Sequence, residues 1–181
     1  MNVFENLRAG KSYHILDEDY KREAHTEFNR CRKICWEINS SDPADAEKNL
    51  KLERELFNNN LPEKSFFTPP FQIDCACRMF VGENVFANHG LTVMSVGTVT
   101  IEDGVMLGPE VGIFTVNHEA KNIRVIFMKE IVIKKKCVDW CASKYFARRD
   151  DWRKCNHRHR FSCYKRYSRQ RGCSWKSCAS S

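Results

Sequence analysis

Thr115-Val116-Asn117-His118-Glu119 interrupts an otherwise regular aliphatic pattern, and His118 is the side chain there that can move a proton near neutral pH. An imidazole at such a break serves as a general base where a hydroxyl must be deprotonated, and as a packed or surface residue where nothing reacts. The other groups with chemistry to offer are less well placed. Cys31 and Cys35 lie on a stripe with Tyr20, Ala24, Phe28 and Ile38 at spacings of three and four, which is how small core residues fall on one helical face. Cys155, His157, His159 and Cys163 offer soft donors, but their spacing fits no finger pattern and several cysteines are left unmatched. No metal is expected. His89 is read as a surface or packing residue.

What positions His118 is the pattern it breaks. Val99, Val105 and Val111 form one series with a period of six, and Ile101, Leu107 and Ile113 form a second, offset by two. Neither a hairpin nor a helix produces two phase-locked series of this kind, whereas a short parallel strand followed by a tight turn does, each hexad being one side of a triangular coil. Gly104, Pro109 and Gly112 are assigned to the turns. Short β runs are expected at 71–73, 79–81, 85–87, 91–94, 98–101, 105–107 and 111–115, which makes roughly three coils of about 18 residues each. Stacked coils bring like residues into register at the ordinary strand spacing.

Before the coil, residues 1–62 read as helical. Asp42-Pro43 supplies an N-cap and a first-turn proline for a second helix through Leu50, Leu52 and Leu56, stopped by Asn58-Asn59-Asn60, so that a helical hairpin is expected. Phe66 to Phe71, with Pro69 and Pro70, is an extended entry segment. There is no apolar run long enough to span a membrane and no basic-then-apolar leader after Met1, so a cytoplasmic location is expected.

The net charge of +7 averages two unlike pieces. Residues 134–181 hold 15 of the 30 Lys+Arg, 3 of the 23 Asp+Glu and six of the ten cysteines, and Val138 is the only Val, Leu, Ile or Met among them. Such a segment cannot bury enough apolar surface to offset its ordering entropy. Three segments follow: helices over 1–62, a parallel β-helix over 63–133, and a basic, cysteine-rich tail over 134–181. Tyr164, Tyr167 and Trp175 interleave with the tail's basic residues, but charge alone accounts for any nucleic-acid binding there, and no specific nucleic acid is expected.

The body resembles the maltose and galactoside O-acetyltransferases, a family of hexapeptide-repeat proteins, which implies that the parallel β-helix over 63–133 is left-handed. The resemblance rests on Arg8-Ala9-Gly10-Lys11-Ser12-Tyr13, on Pro69-Pro70-Phe71-Gln72-Ile73-Asp74, and on Val81-Gly82-Glu83-Asn84-Val85-Phe86-Ala87-Asn88. It continues through Thr98-Val99-Thr100-Ile101-Glu102-Asp103, Leu107-Gly108-Pro109 and Thr115-Val116-Asn117-His118, covering about residues 5–133. Met94-Ser95-Val96 departs from it, standing where many members carry an acidic pair.

The family continues with further hexads, and here the chain changes at Lys134-Lys135-Lys136, which AAA codons would encode as an adenine run. Re-reading the tail with one base removed and permitted synonymous codons turns Cys137–Ala142 into KNVWIGA. The same frame turns Arg148–Tyr167 into GVTIGENAIIGTGSVVTKDI and gives VGNPA near the end. These are the missing hexads and terminal motif in order, and the residues from about Lys136 onward are read as a frameshifted tail.

The resemblance implies acetyl transfer from acetyl-CoA to a sugar hydroxyl, direct and without an acyl-enzyme, with His118 as general base. It implies acceptor contacts from Asn88 and Asp74, with Asp17 joining from the N-terminal helical region, no metal, and a homotrimer with sites between subunits. Coenzyme A contacts would come from the hexads that the tail replaces. Two other readings are an inactive remnant with an open strand edge, and acetylation of a non-sugar hydroxyl such as that of an antibiotic or of serine.

Overall fold

A computed structural model describes residues 2–135, 137–139 and 144–146. Helices come first. A short α1 (Val3–Arg8) is closed by a reciprocal cap between Asn2 and Glu5. The long α2 (Glu18–Asn39) buries Tyr20, Ala24, Cys31, Ile34, Cys35 and Ile38 on one face, as the stripe predicts. The next helix, α3 (Ala46–Leu56), begins later than Asp42-Pro43 suggests. Its N-cap is Asp45, which accepts the Lys48 N–H, while Asp42 caps a preceding turn by accepting from the Ala44 N–H. The Asn stop is real: Asn58 and Asn59 have φ of 52° and 61°.

The coil has three parallel faces. The first holds β2 (Phe66–Phe67), β5 (Phe86–Ala87), β8 (Met106–Leu107) and β13 (Val138–Asp139). The second holds β3 (Gln72–Ile73), β6 (Thr92–Met94), β9 (Gly112–Phe114) and β14 (Lys144–Phe146). On the third lie β4 (Met79–Val81), β7 (Val99–Ile101) and β12 (Ile131–Ile133). Every pairing among them is parallel, as a left-handed β-helix requires. Pairing continues past residue 133, where the sequence places the end of the coil, to Phe146 opposite Phe114.

The coil repeat is twenty residues, not about 18: Met79 pairs with Val99, Phe86 with Met106 and Thr92 with Gly112. Two sides keep the six-residue spacing. The third corner, from Asp74 to Arg78 in one coil and from Ser95 to Thr98 in the next, carries the extra two residues. Gly112 is a strand residue of β9, not a turn: a Cβ there would stand 2.6 Å from the Phe114 ring and 2.7 Å from Lys144 Cδ. The tight corner at Asn84 and Gly104, with φ of 56° and 68°, is a true left-handed turn.

Inside the prism, Phe67, Ala87 and Leu107 stack in one row and Ile73, Val93 and Ile113 in another, all essentially inaccessible. The second half of α2 and α3 close the first coil's open end, joining Ile34, Ile38, Leu52 and Leu56 to this core. Asn39 fastens the lid by bonding both polar groups of the Phe71 backbone, at 2.8 and 3.0 Å. Leu107→Ala, in the middle of the inner row, is expected to cost about 2–5 kcal/mol, read as a lower urea midpoint at unchanged slope.

Glu53 is the buried carboxyl of this lid, accepting the Phe67 backbone N–H. Burial pushes its pKa up to about 7. The folded state therefore holds a proton that the unfolded chain releases near pH 4.5. Stability is fullest below that pH and falls as pH rises to 7, by about 3 kcal/mol in all. Glu53→Gln is expected to flatten this slope and raise stability above pH 7, measured by denaturation across that window. Among the described residues no helix is long and apolar enough to cross a membrane.

Candidate functional site

The long corner gathers the chemistry. In the first coil it follows β3 and begins with Asp74, whose N–H bonds the Val93 carbonyl. One coil up, the Ser95 hydroxyl donates to the Cys75 carbonyl at 2.7 Å. In the next, Thr115 donates to the Met94 carbonyl at 2.6 Å and accepts the Gly97 N–H at 2.9 Å. The buried Thr115 hydroxyl thereby provides the Gly97 N–H with its partner, while both hydroxyls add a second donor to carbonyls that already accept backbone N–H groups, Cys75 from Arg78 and Met94 from Thr115. Met94, in the stretch that departs from the family pattern, points outward, and Val96 packs in a second, smaller core.

From Thr115 the chain leaves the coil as a hairpin, β10 (Val116–His118) antiparallel to β11 (Val125–Met128), and returns when the Lys129 N–H bonds the Thr115 carbonyl. The free edge of β11 pairs with a two-residue strand, β1 (Tyr13–His14). Ile126 thus stands opposite His118 on one side and Tyr13 on the other. Ile126 and Met128 pack beneath with Val3, Leu7, Tyr20 and Ala24. The hairpin is therefore seated on the N-terminal helices, not loose above the coil.

His118 is exposed at the end of β10, and its Nδ1 bonds the Ile123 carbonyl. A carbonyl can only accept, so Nδ1 carries the proton and Nε2 is left with its lone pair. Ser12 reaches Glu119, the next residue, at 3.4 Å. Asp17 is exposed at the start of α2 and accepts the His14 N–H at 3.0 Å, which ties it to the same small sheet. It makes no side-chain cap to its own helix. Tyr20, one turn on, faces Asp74: burial pushes its phenol up to about 12, and Cys75 and Asp74 add to that. Burial likewise raises Asp74, against the pull of Arg32.

Asp17 is thus tied through His14 to the sheet that carries His118, and Asp74 stands within electrostatic reach of Tyr20, one turn along α2. Asn88 stands elsewhere on the coil. It follows β5 at the preceding corner, where its N–H bonds the Leu107 carbonyl and its Oδ1 accepts the His89 N–H at 2.8 Å.

Sequence reasoning missed the Tyr13–His14 strand, since two residues are too few to show alternation. It also missed a cluster of Glu27, Cys75 and Cys77, whose donor atoms lie within 4.8 Å of one another. The signal available for the latter was the Cys-x-Cys spacing at 75–77.

Residues 8–59 match the model of the maltose acetyltransferase hexapeptide capping motif. Over 118 residues the chain is 30% identical to a galactoside O-acetyltransferase of Escherichia coli, an alignment that takes in 65% of this chain and 56% of that protein. Little more than half the length of the curated relatives is spanned in this way. Among solved structures, a maltose O-acetyltransferase from Clostridium difficile superposes with a TM-score of 0.64 at 24% identity, covering 81% of each chain. A hexapeptide-repeat acetyltransferase from Vibrio cholerae, solved with acetyl-coenzyme A, does so with a TM-score of 0.60 at 22% identity, over 80% of this chain and 84% of that one.

Proposed function

We propose that the chain, which matches the capping motif of the maltose acetyltransferases and has a coil like those of the hexapeptide-repeat acetyltransferases, is built to move an acetyl group from acetyl-CoA to a sugar hydroxyl. What supports the reading is the hairpin that leaves the long corner: it exposes His118, holds its Nδ1 on the Ile123 carbonyl, and is joined through the Tyr13–His14 strand to Asp17. Nε2 takes the proton of the acceptor hydroxyl as its oxygen attacks the thioester carbonyl carbon. The tetrahedral adduct then expels the coenzyme thiolate, which takes that proton back from the imidazolium. No acyl-enzyme is needed, because the acceptor oxygen is itself the nucleophile.

Asp74 and Asp17 serve as acceptors for sugar hydroxyls, short groups fixed by backbone on a rigid corner. Asn88 stands at a different corner, where a neighbouring chain can bring it to the same acceptor. A homotrimer accounts for this and for the apolar column of Phe66, Phe86, Met106 and Val138 along the outer first face, where the Phe66 and Phe86 rings lie 5.1 Å apart. The chain divides functionally into the capping helices over 1–62, the acceptor coils over 63–133, and a tail from 134 in which the donor-binding hexads stand out of frame.

The test is release of free coenzyme A thiol by the frame-restored chain with acetyl-CoA and maltose, glucose, galactosides, drug hydroxyls and serine as acceptors. Turnover with the sugars is expected. Turnover confined to the drug or serine arms would reassign the acceptor, and hydrolysis without any acceptor dependence would remove the transferase reading.

A further inference from the structure

Away from the His118 hairpin, at the seam between α2 and the long corner, lies a group of soft donors that the acetyl-transfer reading does not use. We propose that Glu27, Cys75 and Cys77 form a binding site for a soft divalent cation of the zinc class, which clips α2 to the first long corner.

The Sγ atoms of Cys75 and Cys77 stand 3.7 Å apart, and the donor atoms of all three residues lie within 4.8 Å of one another. Two thiolates on one tetrahedral zinc, with bonds of about 2.3 Å, stand about 3.8 Å apart. A disulfide needs about 2.04 Å, so these sulfurs already hold the spacing of ligands to a common ion. Both lie on or beside the 3₁₀ turn at Ala76–Arg78, which turns Cys75 inward and leaves Cys77 exposed, an entry path for the ion.

The surroundings are those of a supported ligand set. Arg30 forks onto the Glu27 carboxylate at 2.8 and 2.9 Å. Glu27 also accepts the Cys77 N–H at 3.2 Å and the Cys31 thiol at 3.3 Å, and Cys31 in turn accepts the Ala76 N–H at 3.4 Å. Carboxylate ligands are usually oriented by outer contacts of this kind. The charges balance: two thiolates and a carboxylate against a dication and the Arg30 guanidinium. Binding releases the two thiol protons, and three protein ligands leave the fourth position to water. Cys35, one helical turn beyond Cys31, is buried against the Ile73 carbonyl and takes no part.

Titration of the reduced full-length chain with cobalt(II) tests this through thiolate-to-cobalt charge-transfer absorbance and the equivalents retained after desalting. The chain has eight other cysteines whose thiols can take up cobalt, so the site is read as a difference between variants. The C75S/C77S chain is expected to retain one equivalent fewer than the unaltered chain, and C35S the same number as the unaltered chain. E27Q, which keeps both thiols and so reports even if the double variant fails to fold, is expected to bind that equivalent about tenfold or more weakly. Zinc should bleach the band. Unchanged stoichiometry in C75S/C77S, or unchanged affinity in E27Q, overturns the site.

Discussion

Replacing His118 by alanine in the frame-restored chain is expected to lower kcat by about 10²–10⁴-fold, with the acceptor KM moved only a few-fold. The expectation rests on three features of the hairpin. His118 ends β10 and is exposed, so its loss opens no cavity and leaves the core beneath Ile126 intact. Its Nδ1 is committed to the Ile123 carbonyl, which fixes the ring and leaves Nε2 as the proton acceptor. The proton transfer occurs as the C–O bond forms, so the loss falls on the transition state more than on acceptor binding. Steady-state kinetics with a fixed sugar measures the split. A variant within tenfold of the parent in kcat would place the base elsewhere, and a rise confined to KM would make His118 an acceptor contact.

What was legible in the chain was whatever repeats. The two phase-locked series at Val99–Ile113 identify the coil because each aliphatic has a neighbour six residues on, and the stripe from Tyr20 to Ile38 identifies α2 by the same logic. The coil length was misjudged because the extra two residues fall in a corner, where polar residues carry no period: Asp74–Arg78 reads as ordinary loop. Gly112 was assigned to a turn on glycine's usual habit, but the close approach of Phe114 and Lys144 at a strand position is what requires it. Asp42-Pro43 had the sequence of a cap, yet Asp45 reaches the free N–H of Lys48. The candidate site was legible one residue at a time. That Asp17 is tied to the sheet holding His118 depends on the pairing of Tyr13 with Ile126, a contact between residues more than a hundred apart that no local pattern announces.

Restoring the frame at Lys134–Lys136 is expected to have a larger effect still, converting a chain without measurable acetyl-CoA turnover into one that acetylates a sugar. The coil's own register supplies the argument. Leu107 closes a buried row with Phe67 and Ala87, and the next position in that row belongs to residue 139, which pairs with it. The written sequence puts Asp139 there; the shifted frame reads the same bases as isoleucine, within KNVWIGA. Isoleucine at that register continues the aliphatic series of Phe67, Ala87 and Leu107, which the written sequence does not. The shifted frame then supplies further hexads, which would pair with the outer edges of β13 and β14, unpaired among the described residues, and provide surface for the coenzyme. Expressing both versions and comparing soluble yield with thiol release separates the outcomes. The restored chain should be more soluble, cooperative in unfolding and active. Equal turnover from both would show that the re-read hexads are not needed to bind the donor.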